Sequence, residues 1–433
     1  MTISLSQKKT WISVFAILGA AIGIIAVSCS KTYAIVYLLD VVWTLSIVVF
    51  VGIDINNMHA SSIIKMIVVL GLLARILVMI LGTIGPIPYR NLFNESDQGG
   101  FIRIAYDYFC GDFSTSSTRY PYLINLLYRV FGPFELVARF LNIVFWYMGF
   151  RLLYVASGKK LYGKDRVLVA AFYCLLPMQI KITAGAMRES IMAYSIMVSL
   201  FLLYKWMSNG RMRYIFLSVI ATLPAVLLHT GCAAMLGTIF FAFVFWDKRI
   251  KKWNVVSWKA GLFIIAIVCI MPIYNLFCAL FADFNYLPKE LTIESITSYP
   301  YWPGRSDYII GDGTAHTAVE FVQGTLYRCF YFWVSPTPKF WNSSLDLIGF
   351  FCDSIPWIVL FFFFIKRMRT SGGKIFGKVG FLLIVLYTFV YAWGTRNAGT
   401  AMRHRDVLTS ALALTMMMEI NYEGTNKSIG NCL

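Results

Sequence analysis

Charge is what this chain has least of. Asp, Glu, Lys and Arg make up 14% of its 433 residues, where soluble domains carry about 25%. That shortage excludes an ordinary water-soluble domain. Acids are the scarcer sign, 21 against 38 bases. The nine cysteines are scattered and none forms a CxxC pair, which excludes a disulfide framework and a cysteine-built metal site. No glycine-rich phosphate loop is present, so a nucleotide-bound donor has no evident cradle. No internal repeat is visible, which argues against a transporter or flippase built from related halves.

What the chain has instead is apolar length. Hydrophobic residues are 59% of the total and the mean hydropathy is +0.69. Runs able to cross about 30 Å of hydrocarbon lie near 11–29, 33–53, 62–84, 134–155, 167–184, 190–207, 214–229, 232–246, 258–281, 346–365, 379–394 and 407–420. The expected fold is therefore all-α, a single polytopic membrane domain over 1–433 with about twelve spans. The first run follows Lys8 and Lys9 and ends at Cys29, but Ala26 stands where a lipobox usually has Leu, so it is read as an uncleaved first helix.

Basic loops stay cytoplasmic. A cytoplasmic N-terminus puts "SGKKLYGKDR", "KWMSNGRMR", "WDKRIKKWN" and "KRMRTSGGKIFGK" inside, and every alternate loop agrees. The expected location is the cell membrane, multi-pass. The net charge of +17 is then mostly a topology signal, and no nucleic-acid partner is expected. The inner loops use mainly Lys, whereas the outer side uses mainly Arg, including Arg139, Arg188, Arg328, Arg403 and Arg405. Lys is a point charge, but a guanidinium grips phosphate with two parallel bonds. Arg403, His404 and Arg405 stand together at one helix mouth, a concentrated site for phosphate or pyrophosphate on a membrane lipid. Pairing with Asp406 or a headgroup is the plainer alternative for any one of them.

The first large outer loop, 86–133, holds Phe101, Ile104, Ala105, Tyr108 and Phe109 at amphipathic-helix spacing. Such a helix would lie on the outer leaflet with Arg103 and Asp107 on its wet side. "RYPYLINLLYRVFG" reads as a second interfacial helix, too short to span. Asp97 heads the first helix, either as a cap or as a general base. This layout resembles the GT-C superfamily of polytopic glycosyltransferases, the protein mannosyltransferase and aminoarabinose transferase branch. The matching residues are Asp97, Ile104 and Ala105, then Tyr120, Pro121, Leu123, Phe131, Gly132, Ala138 and Arg139. The resemblance implies that Asp97 is the catalytic base, with Glu95 in the place of a second loop acid. It departs from that superfamily in setting the acidic loop after the third span instead of the first.

Arg188 and Glu189 open another helix on the outer side. Glu189 there complements the helix dipole and pairs with Arg188, or, as the resemblance implies, lines the active-site cavity. His229 in "LLHTG" sits at an outer mouth, where a lone histidine is commonly structural. Arg188, about forty residues before that His-Thr-Gly, also resembles the Wzy/EpsG-type polysaccharide polymerases, which join lipid-linked repeat units. The late outer loop, 282–345, carries aromatics at Tyr299, Tyr301, Trp302 and Tyr308 suited to stacking on sugars, beside a Tyr327–Trp341 set suited to an interfacial belt. Arg75, midway along the third span, must face the bundle interior, with Asp40 as a possible partner.

The expected function is transfer of a sugar from a polyprenyl-phosphate donor to a saccharide or lipid-linked saccharide at the outer face. Asp97, Glu95 and Glu189 are the candidate catalytic acids. Arg403, His404, Arg405, Arg188 and Arg328 are the candidate phosphate binders, with His229 and Arg139 as further candidates. No metal or cofactor is expected. The alternative is a repeat-unit polymerase that leans on Arg188, His229 and the late cluster; a flippase is the third reading.

Overall fold

The computed structural model describes residues 34–85, 87, 96–113, 119–247, 252–254, 261, 293–298, 306–309, 313–370 and 374–430. It is mostly helical, at 83%. Among the described residues five helices are long and apolar enough to cross a membrane, or six if one bent pair counts as a single span. The apolar runs at 11–29 and, save for residue 261, 258–281 lie outside the described residues.

The chain divides into two compact units, Met1–Tyr147 with Ile180–Arg188, and Met148–Gln179 with Glu189–Leu433. The first unit contains α1 (Ala34–Asn56), α2 (Ser62–Ile84), α3 (Ser96–Cys110), α4 (Tyr120–Phe131) and the beginning of α5 (Glu135–Ala156). The Ser61 hydroxyl accepts from Ile64 N–H at the start of α2, and Gly85 N–H closes its end on Leu81. One face of α2 buries Ile64, Ile67, Val68, Leu72, Arg75 and Met79, while the other exposes Ile63, Met66, Leu70, Leu73 and Leu77. A helix apolar all round needs an apolar solvent on its outer face. Arg75 is fully buried, as an arginine in mid-span must be. Its guanidinium bonds to Thr183 Oγ1 at 2.7 Å and Gly71 O at 3.0 Å, and lies 3.9 Å over Trp146. The Asp40 side chain lies outside the described residues.

The predicted helical period in the first loop appears as α3, with Phe101, Ala105 and Tyr108 buried and Arg103 exposed. Pro121 stands in the first turn of α4, where a missing N–H costs nothing, and Gly132 ends it at φ 85°. The two helices pack through aromatic rings, Tyr108 on Tyr122 at 4.4 Å and Phe101 edge-on to Tyr120 at 5.3 Å.

The second unit holds the rest of α5, then α6 (Lys164–Leu175), the start of α7 (Pro177–Ala184), α8 (Glu189–Asn209), α9 (Arg213–Leu228) and α10 (Ala234–Phe245). A short hairpin of β1 (Trp246–Asp247) and β2 (Lys252–Trp253) and the small helix α11 (Ile293–Thr297) come next. Then come α12 (Ala318–Val334), α13 (Ser344–Gly349), α14 (Ile355–Thr370), α15 (Lys374–Gly394) and α16 (Ala398–Gly430). Hydroxyls join the apolar helices here: Ser199 of α8 bonds Ser218 and Thr222 of α9, and Tyr204 bonds Thr415 at 2.8 Å. Small residues let backbones approach, and a Cβ on Gly380 would lie 2.8 Å from Thr415. Between α13 and α14 the chain makes a π-turn, Phe350–Ser354.

The apolar run at 407–420 puts Arg403, His404 and Arg405 at a helix mouth, and the structure corrects this. α16 instead begins at Ala398, so residues 403–405 are regular helix, and all three are buried. The polar run before Val407 is helical because its charges are satisfied by neighbouring helices, a long-range effect invisible to hydropathy.

Candidate functional site

The candidate site residues divide between the two units. In the first, Asp97 is exposed in the opening turn of α3. Beneath it Gln98 is buried, donating to Glu135 Oε1 at 2.9 Å and accepting from Ala186 N–H at 3.2 Å. Asn142 donates to the carbonyls of Gly185 and Met187, both at 2.6 Å. These two amides tie the 184–188 segment to α3 and α5. Arg188, half-buried, lies 5.7 Å from the Phe101 ring centre. Arg139 is fully buried and ion-paired to Glu135, with Gly82 O at 3.3 Å. Its donors are spent inside the protein, so its role is to hold α5 to α2 and not to meet a ligand. Glu95 lies outside the described residues.

In the second unit Glu189 is fully buried in the first turn of α8. Arg403 Nε lies 3.1 Å from its Oε1. His404, the next residue, meets His229 edge-on at 5.0 Å between ring centres and Tyr391 at 4.3 Å. His229 Nδ1 accepts from Gly231 N–H at 3.2 Å and lies 3.1 Å from the Tyr391 hydroxyl. A backbone N–H can only donate, so in the neutral ring the proton sits on Nε2. A Cβ on Gly231 would fall 2.7 Å from the Tyr391 ring, so only glycine lets this turn press on the ring. Gly231→Ala is expected to push the Tyr391 ring and His229 apart and to lower the apparent Tm of the purified protein. An unchanged Tm in that variant would show that the close approach is not needed.

Arg405 has a different setting. Adjacent side chains on a helix point about 100° apart and residues two apart about 200°, so Arg405 faces away from Arg403. It donates to the carbonyls of Phe332 (2.9 Å), Trp333 (2.8 Å) and Ser335 (2.7 Å), to Ser354 Oγ, and to the Asp353 carboxylate in a short ion pair. The π-turn aims Asp353 and Ser354 at it. Such turns recur where a helix must redirect a side chain. Arg405 is thus a clamp between α12, the π-turn and α16, and the expected phosphate role does not fit its commitments.

Arg328 is buried, donating to Gly313 O at 2.7 Å and Trp393 O at 3.3 Å, with its guanidinium 4.2 Å over the Trp393 ring. Burial, and then the neighbouring Arg396, push it down to about 10, which leaves it cationic at neutral pH. The chain at 306–309 is laid against the head of α16: Tyr308 N–H bonds Arg396 O, Ala398 N–H bonds Ser306 O, and Ser306 Oγ bonds Asp346. Tyr308 is fully buried, its hydroxyl on Thr395 O, so it packs and does not stack on sugar. Tyr299, Tyr301 and Trp302 lie outside the described residues.

The sequence reading passed over Tyr391, Asp353, Gln98 and Asn142. Asp353 had a signal, since an acid inside an apolar run asks for a partner. Tyr391 had none, because a tyrosine near a span end is ordinary belt composition. Among the described residues no three His, Cys, Asp or Glu side chains converge on a metal-sized point. No protein-family model, curated protein or solved structure matches the chain.

Proposed function

We propose that this protein is a multi-pass membrane glycosyltransferase that takes a sugar from a polyprenyl-phosphate carrier at the outer face of the cell membrane. The supporting observation is the Glu189–Arg403–His404–His229 cluster, in which a guanidinium and two imidazoles gather beside a buried carboxylate. In the transfer, an acceptor hydroxyl attacks the anomeric carbon, the bond from that carbon to the phosphate oxygen breaks, and the carrier phosphate leaves with the electron pair. Arg403 and His404 stabilise that growing negative charge, and Glu189 orients Arg403. The acceptor's proton goes to a carboxylate base, for which the resemblance implies Asp97. The full topology of about twelve spans, with α3 and α4 as interfacial helices and the N-terminus in the cytoplasm, belongs to the same proposal.

A second reading, the joining of lipid-linked repeat units, is favoured by the contact of His229 with His404. It uses His229 and does not need Asp97. Purified protein supplied with a polyprenyl-linked sugar and a saccharide acceptor separates the two. Asp97→Asn is expected to cut transfer by on the order of 10² at normal abundance, the scale of a lost general base. If Asp97→Asn is nearly fully active and His229→Ala is not, the polymerase reading holds. If neither variant matters, both fail.

The orientation has its own test. The His316 side chain is 61% exposed, and Arg211 is exposed at the opposite kind of loop. On intact cells a cysteine at His316 should react with an impermeant maleimide and one at Arg211 should not. The readout is peptide by peptide, because Cys110 is itself exposed. Labelling at 211 and not at 316 would invert the topology.

A further inference from the structure

Helix α12 is built inside out. Its buried side carries Arg328 and Phe332, and Thr325 accepts a bond from Trp393 Nε1 at 3.0 Å. Its exposed side carries Val319, Val322, Leu326 and Phe330, between 57% and 69% exposed. At 100° per residue those four fall within an arc of about 80°. Glu320 and Gln323, also exposed, flank the arc near the helix start. A guanidinium inside and four large apolar groups outside is the reverse of a helix facing water.

The contacts of α12 also fix its direction relative to the long helices of the same unit. Phe321 stacks on Trp393 at 5.2 Å, while Trp333 donates to Thr388 at 2.9 Å and meets Phe361 at 4.2 Å. From Phe321 to Trp333 the axis of α12 advances about 18 Å, whereas from Thr388 to Trp393 that of α15 advances about 7.5 Å. The helix therefore crosses α15 steeply and does not run beside it as another span. The helices it packs on also carry apolar outer surfaces, α14 at Val359 and Phe362 and α15 at Val385 and Phe389. α15, and the stretch Ser344–Arg369 that α13, the π-turn and α14 make together, are among those long and apolar enough to cross a membrane.

We infer that α12 lies in the plane of the bilayer, at the level of the Thr388–Trp393 end of α15, with Val319, Val322, Leu326 and Phe330 against phospholipid acyl chains. In-plane helices of this kind bury their apolar face at the boundary of headgroups and chains. The inference rests on the chain being a membrane protein and is independent of glycosyl transfer.

The test uses the full chain in vesicles of phosphatidylethanolamine and phosphatidylglycerol doped with a phospholipid that carries a diazirine midway along one acyl chain. After irradiation, labelled positions are mapped by mass spectrometry. Leu326 and Phe330 should be labelled to the same extent as Phe362 and Val385, and Arg211 not at all. Labelling of Phe362 and Val385 with none on α12 would overturn the inference, whether water or another segment of the chain covers the stripe.

Discussion

Replacing Arg405 by alanine is expected to strip most of the protein from the membrane fraction and to lower the apparent Tm of what remains. The guanidinium joins three backbone carbonyls, a hydroxyl and the Asp353 carboxylate, and the side chains of the ion pair are 1% and 11% exposed. Removing one member leaves the other charge buried without its counterion, which costs about 3–5 kcal/mol. That is a large share of the roughly 5–15 kcal/mol that holds a typical domain folded. Arg405→Lys should fail nearly as badly, because one ammonium cannot span acceptors arranged for a planar fork. Removing both charges, as Arg405→Met with Asp353→Leu, should restore much of the abundance, since a buried pair is often replaceable by apolar groups of similar volume. Normal yield and Tm in Arg405→Ala would refute the clamp.

Arg403→Lys is expected to behave in the opposite way, with normal abundance and little activity. A lysine keeps a positive charge beside Glu189, whose side chain is fully buried, so folding survives. It loses the planar fork that, in the proposed function, grips the donor phosphate through two bonds. Transfer from a purified polyprenyl-linked sugar should fall by about 10² to 10³, the scale of removing one group that stabilises developing charge. An Arg403→Lys protein with wild-type turnover would take the guanidinium out of the site and leave the pair as a structural one.

Much of the fold was legible because hydropathy and period are local. The runs at 62–84, 134–155 and 190–207 appear as α2, α5 and α8 within a few residues, and the five-residue apolar pattern from Phe101 to Phe109 appears as α3 with Phe101, Ala105 and Tyr108 buried. Asp97 at the head of that helix was also read from position alone. The late cluster was legible as a concentration of charge and illegible as a geometry. Nothing in "MRHRD" says that the helix is already formed there, or that the first arginine turns to α8 and the second to a π-turn about fifty residues earlier.

Composition and spacing alone determined that this chain is helical and apolar, with helices suited to lipid, because the solvent a helix tolerates is written along its own surface. They also determined that arginine marks the places where buried charge must be met. The tertiary structure decided which partner each arginine takes: Glu189 for Arg403, Asp353 and Ser335 for Arg405, Glu135 for Arg139, Thr183 for Arg75. The reason is physical. A buried guanidinium is satisfied only by acceptors within about 3 Å at fixed angles, and those acceptors come from segments far away in sequence, brought near by helix packing that no local pattern encodes.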